Sequence, residues 1–138
     1  MTLSQLLKDI KSMKYQGANQ IAIASLQYLK KTKLKDFSKV SKQLREARST
    51  AVVLHNCLDI LSKDKTEKTI NTLLTRLQRS RTQIGEKGSK LIKGVKIMTH
   101  CNSGDALEII KHSYKSGKKI EVYATETEPK HQGIITAK

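Results

Sequence analysis

Residues 96–110, "KIMTHCNSGDALEII", crowd a His-Cys-Asn triplet, a Ser-Gly pair and a helical repeat behind an alternating apolar run. The chemistry within reach is that of a thiol beside a helix start. Cys101 falls between the end of a strand and a helix beginning near Asp105, where the positive end of a helix dipole favours a thiolate. From there a sulfur can move a proton or attack a carbonyl. Ser103, Gly104 and the amides that follow suit a phosphate group, because unbonded N–H groups at a helix start attract anions. His100 and Cys101 adjoin without a second pair at ligand spacing, so neither a metal nor another cofactor is expected. "GEKGSK" at 85–90 has the wrong spacing for a phosphate loop and no strand before it. His55 is expected in or at the edge of a core, and His112 and His131 at the surface.

The elements that must hold this stretch follow from periodicity. "VKIMT" and "KKIEVYAT" alternate as strands do, and "DALEIIKHSYKSG" between them is helical with Gly117 past its end. Strand, helix, strand implies a parallel pair with a right-handed crossover. "ETEPKHQG" then reads as a loop, and "IITAK" as the start of another helix. Two parallel strands are too few for a stable sheet, so this second domain, residues 94–138, is expected to be incomplete.

Residues 1–93 read as a helical domain. Leu3, Leu6, Leu7, Ile10 and Met13 make a first stripe with Thr2 as cap, and Ala18, Ile21, Ala22, Leu26 and Leu29 a second. The small residues Ala22, Ala24 and Ser25 invite a close neighbour. Phe37, Val40, Leu44 and Ala47 mark a third helix. Thr50 is expected to cap a fourth, "AVVLHNCLDIL", apolar on most of its circumference. Thr66 opens a long fifth, the spine of the bundle, with a bend or fraying expected at Gly85 and Gly88.

Composition sets the outer bounds. The chain has 138 residues, one proline, 4% aromatic residues and a net charge of +15. Residues 1–94 carry 20 Lys/Arg against 7 Asp/Glu, whereas residues 95–138 carry 7 against 5, so the basic field belongs to the helical part. Such a field favours anionic partners such as nucleic acid, phosphorylated metabolites or an acidic protein surface. Aromatic platforms and named nucleic-acid motifs are missing, which makes direct RNA binding the weaker use of that charge. No apolar run approaches the roughly 20 residues that cross a bilayer, and "MTLSQLLKDIKSMK" does not resemble a signal peptide, so no membrane partner and a cytoplasmic location are expected. Two cysteines, Cys57 and Cys101, are too few for a disulfide scaffold.

"IMTHCNSGDALEIIKHSYKSGKKIEVYATETEPKHQG" resembles the central signature of the family that unites the alpha, beta and delta subunits of translation initiation factor 2B with methylthioribose-1-phosphate and ribose-1,5-bisphosphate isomerases. The shared pattern is Thr-His-Cys-Asn-Ser after a strand, then Thr-Glu-Thr-x-Pro after the next, then Gln-Gly. "QGANQIAIAS" and "ARSTAVVLHNCLDIL" are similar to two upstream segments, so nearly the whole chain aligns with the front half of the family. The resemblance implies an α/β chain, an N-terminal helical bundle followed by the first strand-helix-strand of a Rossmann-like parallel sheet. It also implies Cys101 as the catalytic cysteine of an aldose-ketose isomerase. Arg48, Gly17, Asn102, Ser103, Gly104, Gln132 and Gly133 then take the phosphorylated sugar.

Departures from the pattern point toward binding rather than turnover. Gln16 and Glu128 stand where the isomerases carry arginines, Ser49 replaces a proline, and the partner aspartate of a later Gly-Ala-Asp motif has no counterpart in these residues. A neutral amide or a carboxylate cannot replace a bidentate guanidinium. The favoured expectation is an initiation-factor-2B-like binding or regulatory protein, partnered by another copy of itself, by initiation factor 2 subunits and by a nucleotide or sugar phosphate. A ribose-1,5-bisphosphate isomerase and a lysine-rich RNA-associated module are the alternatives.

Overall fold

A computed structural model describes residues 1–15 and 17–138. They form α1 (Leu3–Lys11), α2 (Ala18–Lys31), α3 (Phe37–Ala47), α4 (Val52–Lys63), α5 (Glu67–Leu91), β1 (Lys96–His100), α6 (Gly104–Lys115), β2 (Glu121–Thr125) and α7 (Gln132–Ala137). The chain divides into two compact units, residues 1–77 and 78–138.

In the first unit the apolar stripes read from the sequence close on one another. Leu6, Ile10, Ile21, Leu26, Leu29, Leu44, Leu54, Leu58 and Leu61 are fully buried, and Ile70 and Leu73 of α5 complete the core. α2 packs mainly on α4, and its small residues Ala22, Ala24 and Ser25 are all buried, as close approach requires. Local chemistry sets the helix ends. The Thr2 hydroxyl accepts from the Gln5 amide at 3.2 Å, and the Thr66 hydroxyl accepts from the Thr69 amide at 3.2 Å, satisfying N–H groups that a helix leaves open. Two boundaries differ from expectation. α1 stops at Lys11, because Met13 adopts φ 61°, and the cap position of α4 belongs to Ala51 rather than Thr50, with no side-chain bond.

The second unit is the strand-helix-strand with the last turns of α5 and the short α7. β1 and β2 pair in parallel, with Met98 opposite Tyr123 and His100 opposite Thr125. Parallel neighbours point to the same side, so Met98 and Tyr123 share a face, and both are exposed, Met98 by 75%. Among the described residues, every buried hydrophobic side chain falls between Leu6 and Leu73. This is an incomplete Rossmann-like arrangement, since parallel sheets are ordinarily covered on both faces.

The expected bend in α5 is not found. The helix runs unbroken through Gly85 and Gly88, because tertiary packing uses both glycines. A Cβ on Gly88 would stand 2.6 Å from Cδ1 of Ile109, and one on Gly85 would fall on the His112 ring. Their bare backbone lets α6 approach, which offsets their poor helix propensity. His112, expected at the surface, is therefore half-buried, with Nδ1 2.9 Å from the Glu108 carbonyl oxygen. The Lys118 ammonium donates to the carbonyls of Ser89 and Ile92 at 2.6 Å each and closes the C-terminal end of α5.

Candidate functional site

Cys101 follows the last residue of β1 directly, at the carboxyl end of the strands where open α/β sheets bind ligands. Its backbone takes φ 59°, a left-handed conformation uncommon outside glycine and asparagine. Such strain persists only where neighbours enforce it. Here the enforcing contact is the Thr136 hydroxyl of α7, 3.0 Å from the Cys101 carbonyl and 3.2 Å from Oδ1 of Asn102. Cys101 and Asn102 are both half-buried. Ser103 caps α6, its hydroxyl accepting from the Ala106 amide at 3.4 Å, and Asp105 lies in the first turn. The sulfur, a polar amide and the start of a 12-residue helix thus share one short loop.

The second strand ends beside the same loop. Nδ1 of His100 meets the Thr125 hydroxyl at 2.7 Å, joining the two strand ends. Glu126 then accepts the amides of Thr127 at 2.6 Å and Gly133 at 3.1 Å. The Thr127 amide above all, then those of Gly133 and Ile134 and the nearby His131, hold its carboxyl below the ordinary carboxylate range against a smaller opposing effect of burial. Gly133 is buried, and a Cβ there would collide with the Thr125 carbonyl and the Glu126 backbone, leaving no room for a side chain. Gln132 opens α7 with its amide on the Thr127 hydroxyl at 3.2 Å. Glu128 is exposed and sits 3.6 Å from the His131 ring, which is also exposed.

Two residues absent from the sequence-based set stand at this loop. Thr136 fixes the Cys101 backbone, and the Arg81 guanidinium of α5 approaches Gly104 so closely that a Cβ there would lie 3.3 Å from Nη2. Arg81 also faces Glu108 at 3.4 Å. The local sequence around Arg81 carries no motif, and only the helix crossing at Gly85 and Gly88 brings it to the start of α6.

The remaining expected residues belong to the first unit. Arg48 ends α3 half-buried and donates Nη1 to the Tyr15 carbonyl at 3.4 Å, which brings it to the segment leading into Gly17. The Gly17 amide starts α2 and donates to Oε1 of Gln20. Gln16 lies outside the described residues. The other cysteine, Cys57, is buried in α4, and that burial pushes its thiol pKa up against the lowering effect of Arg76.

Comparison with known proteins gives this loop a lineage. The profile of the Initiation factor 2 subunit family matches residues 14–138. The chain belongs to that family. Within it, the chain is 36% identical over 151 residues to a ribose 1,5-bisphosphate isomerase of Archaeoglobus fulgidus, covering 95% of this chain and 48% of the relative. It is also 36% identical over 162 residues to the Pyrococcus furiosus protein of that name, covering 97% and 50%. A methylthioribose-1-phosphate isomerase of a Sulfurihydrogenibium species is 35% identical over 153 residues, with 96% of this chain and 45% of that protein covered. The chain therefore spans about half the length of these family members. The fold agrees with a crystal structure of the Pyrococcus horikoshii translation initiation factor eIF-2B, at a TM-score of 0.74 and 17% identity over 98% of this chain and 54% of that one. No helix among the described residues is long and apolar enough to cross a membrane.

Proposed function

We propose that this chain provides the thiol-bearing part of a sugar-phosphate site of the ribose-1,5-bisphosphate isomerase type. The observation that carries the reading is Cys101 held in a left-handed backbone by Thr136, directly ahead of the Ser103-capped α6. In that role the Cys101 sulfur stands at the carbon whose proton moves during an aldose-ketose conversion, and the amides at the start of α6, with Arg81, take a phosphate. An aldose-ketose shift takes a proton from one carbon and returns one to its neighbour, while a second proton passes from the hydroxyl to the carbonyl oxygen, so a thiol works with a second acid-base group. The isomerases that the sequence resembles use an aspartate of a Gly-Ala-Asp motif, which these 138 residues do not contain. The 138 residues by themselves accordingly bind the sugar phosphate and do not turn it over.

A second reading is a regulatory protein of the initiation-factor-2B type, binding another copy of itself and initiation factor 2 subunits. Glu128 supports it, because a carboxylate in the place of an arginine repels the anion an isomerase must hold. The experiment is to incubate the protein with ribose 1,5-bisphosphate and follow the sugar by carbon-13 NMR, with Cys101→Ser beside it. Saturable binding without conversion is expected. Conversion that depends on the thiol would make the 138 residues an enzyme in their own right, and failure to bind would favour the regulatory reading.

A further inference from the structure

We propose that one end of the helical unit, where the α2–α3 and α4–α5 connections meet, is a docking surface for the phosphate backbone of single-stranded nucleic acid. Sequence distance hides this surface. Lys30 joins the two connections, with Nζ 2.7 Å from Oδ1 of Asn71 and 3.5 Å from Glu67, and Nζ of Lys65 stands 5.6 Å from the centre of the Phe37 ring. Residues 30–36 and 63–68 together carry seven lysines against three carboxylates. Two of those carboxylates are already engaged: Asp64 accepts from the hydroxyls of Thr66 and Thr69, and Glu67 faces Lys30. Lys31, Lys33, Lys35, Lys63 and Lys68 are exposed, and among the described residues none has an acidic partner within ion-pair distance.

Seven lysines against three carboxylates leave this end with a net positive charge. Helix dipoles do not offset it, since two helices start and two end there and their partial charges cancel. The α2–α3 connection is tight, with Lys33, Leu34 and Asp36 all at positive φ, and its lysines are exposed. Composition selects the partner. Protein interfaces favour arginine and aromatic residues and are poor in lysine, whereas a set of point charges without a guanidinium fork or an exposed aromatic ring suits phosphates and reads no bases.

The proposal concerns a surface separate from Cys101, and its test does not involve that loop. The probes are fluorescein-labelled 20-nucleotide uridine RNA and thymidine DNA, read by anisotropy with the full chain. About six phosphate contacts on a single strand give a roughly 300-fold loss of affinity between 50 and 200 mM salt, and three contacts roughly 20-fold. Lys31→Gln/Lys33→Gln/Lys35→Gln should therefore reduce the salt dependence from the first figure toward the second, and Lys63→Gln/Lys68→Gln should move it the same way. A control set at Lys111, Lys115 and Lys119 should leave it unchanged. The inference is overturned by absence of binding at 50 mM salt, by a control set as damaging as the first, by strong preference for one of the two strands, or by poly-glutamate competing as well as the oligonucleotides.

Discussion

Replacing Gly85 by alanine tests whether the glycines of α5 exist for helix approach. At an exposed helical position the change stabilises by about 1 kcal/mol, because alanine loses less backbone freedom. At Gly85 the new methyl would meet the His112 ring, with Cε1 at 2.7 Å, and the Glu108 carbonyl oxygen at 3.1 Å. The ring cannot simply swing aside, since its Nδ1 lies 2.9 Å from that same carbonyl. Overpacking of this kind costs about 1–3 kcal/mol, which leaves a net destabilisation of about 1 kcal/mol. In a His112→Ala background the main obstacle is gone, and Gly85→Ala should become neutral or stabilising by up to about 1 kcal/mol. Urea unfolding of the four proteins, followed by far-ultraviolet circular dichroism, gives a coupling energy expected to exceed about 1 kcal/mol. Stabilisation by Gly85→Ala in the unmodified protein, or an equal effect in both backgrounds, would refute the reasoning. It would also remove the reason for Arg81 to stand at Gly104.

Thr136→Val removes the hydroxyl bond on Cys101, worth about 1 kcal/mol, so alkylation of Cys101 by iodoacetamide should rise about fivefold while Thr136→Ser restores the original rate. Buried Cys57 is the internal reference and should stay slow in all three proteins. The Glu126 carboxyl is held below its ordinary value in the fold, so its contribution is present above the unfolded pKa and fades as pH falls through the lower folded one. Amide exchange at Gly133 and Ile134, corrected for intrinsic rates, should therefore accelerate below about pH 4.3 and stay flat from pH 5 to 7, with Glu126→Gln abolishing the dependence. Leu58→Ala, at a fully buried position, should cost about 2–5 kcal/mol in urea unfolding.

The hinge at Cys101 was legible because the hydrophobic period switches from two to 3.6 within a few residues, with Asp105 marking the helix start. The stripes of α1 to α4 were legible for the same reason: each face must be apolar to close the core. The sequence is silent where two distant elements meet. Thr136 reaches Cys101 from 35 residues away, and a single threonine in an apolar run gives no sign of its bond. Gly85 and Gly88 carried a signal with two meanings, a weakened helix or a close neighbour, and only α6 decides between them. The lysine-rich end shows the same limit, since charges at 30–36 and 63–68 become one surface only through Lys30 and Lys65.

Protection of Cys101 tests the central claim most directly. Alkylation of the sulfur by iodoacetamide, read by peptide mass spectrometry with rising ribose 1,5-bisphosphate, should slow to a saturable limit while Cys57 is unaffected. Amide shifts confined to residues 101–106 should follow the same curve. A bound sugar phosphate that leaves the Cys101 rate unchanged, or shifts only amides remote from the start of α6, would contradict the account.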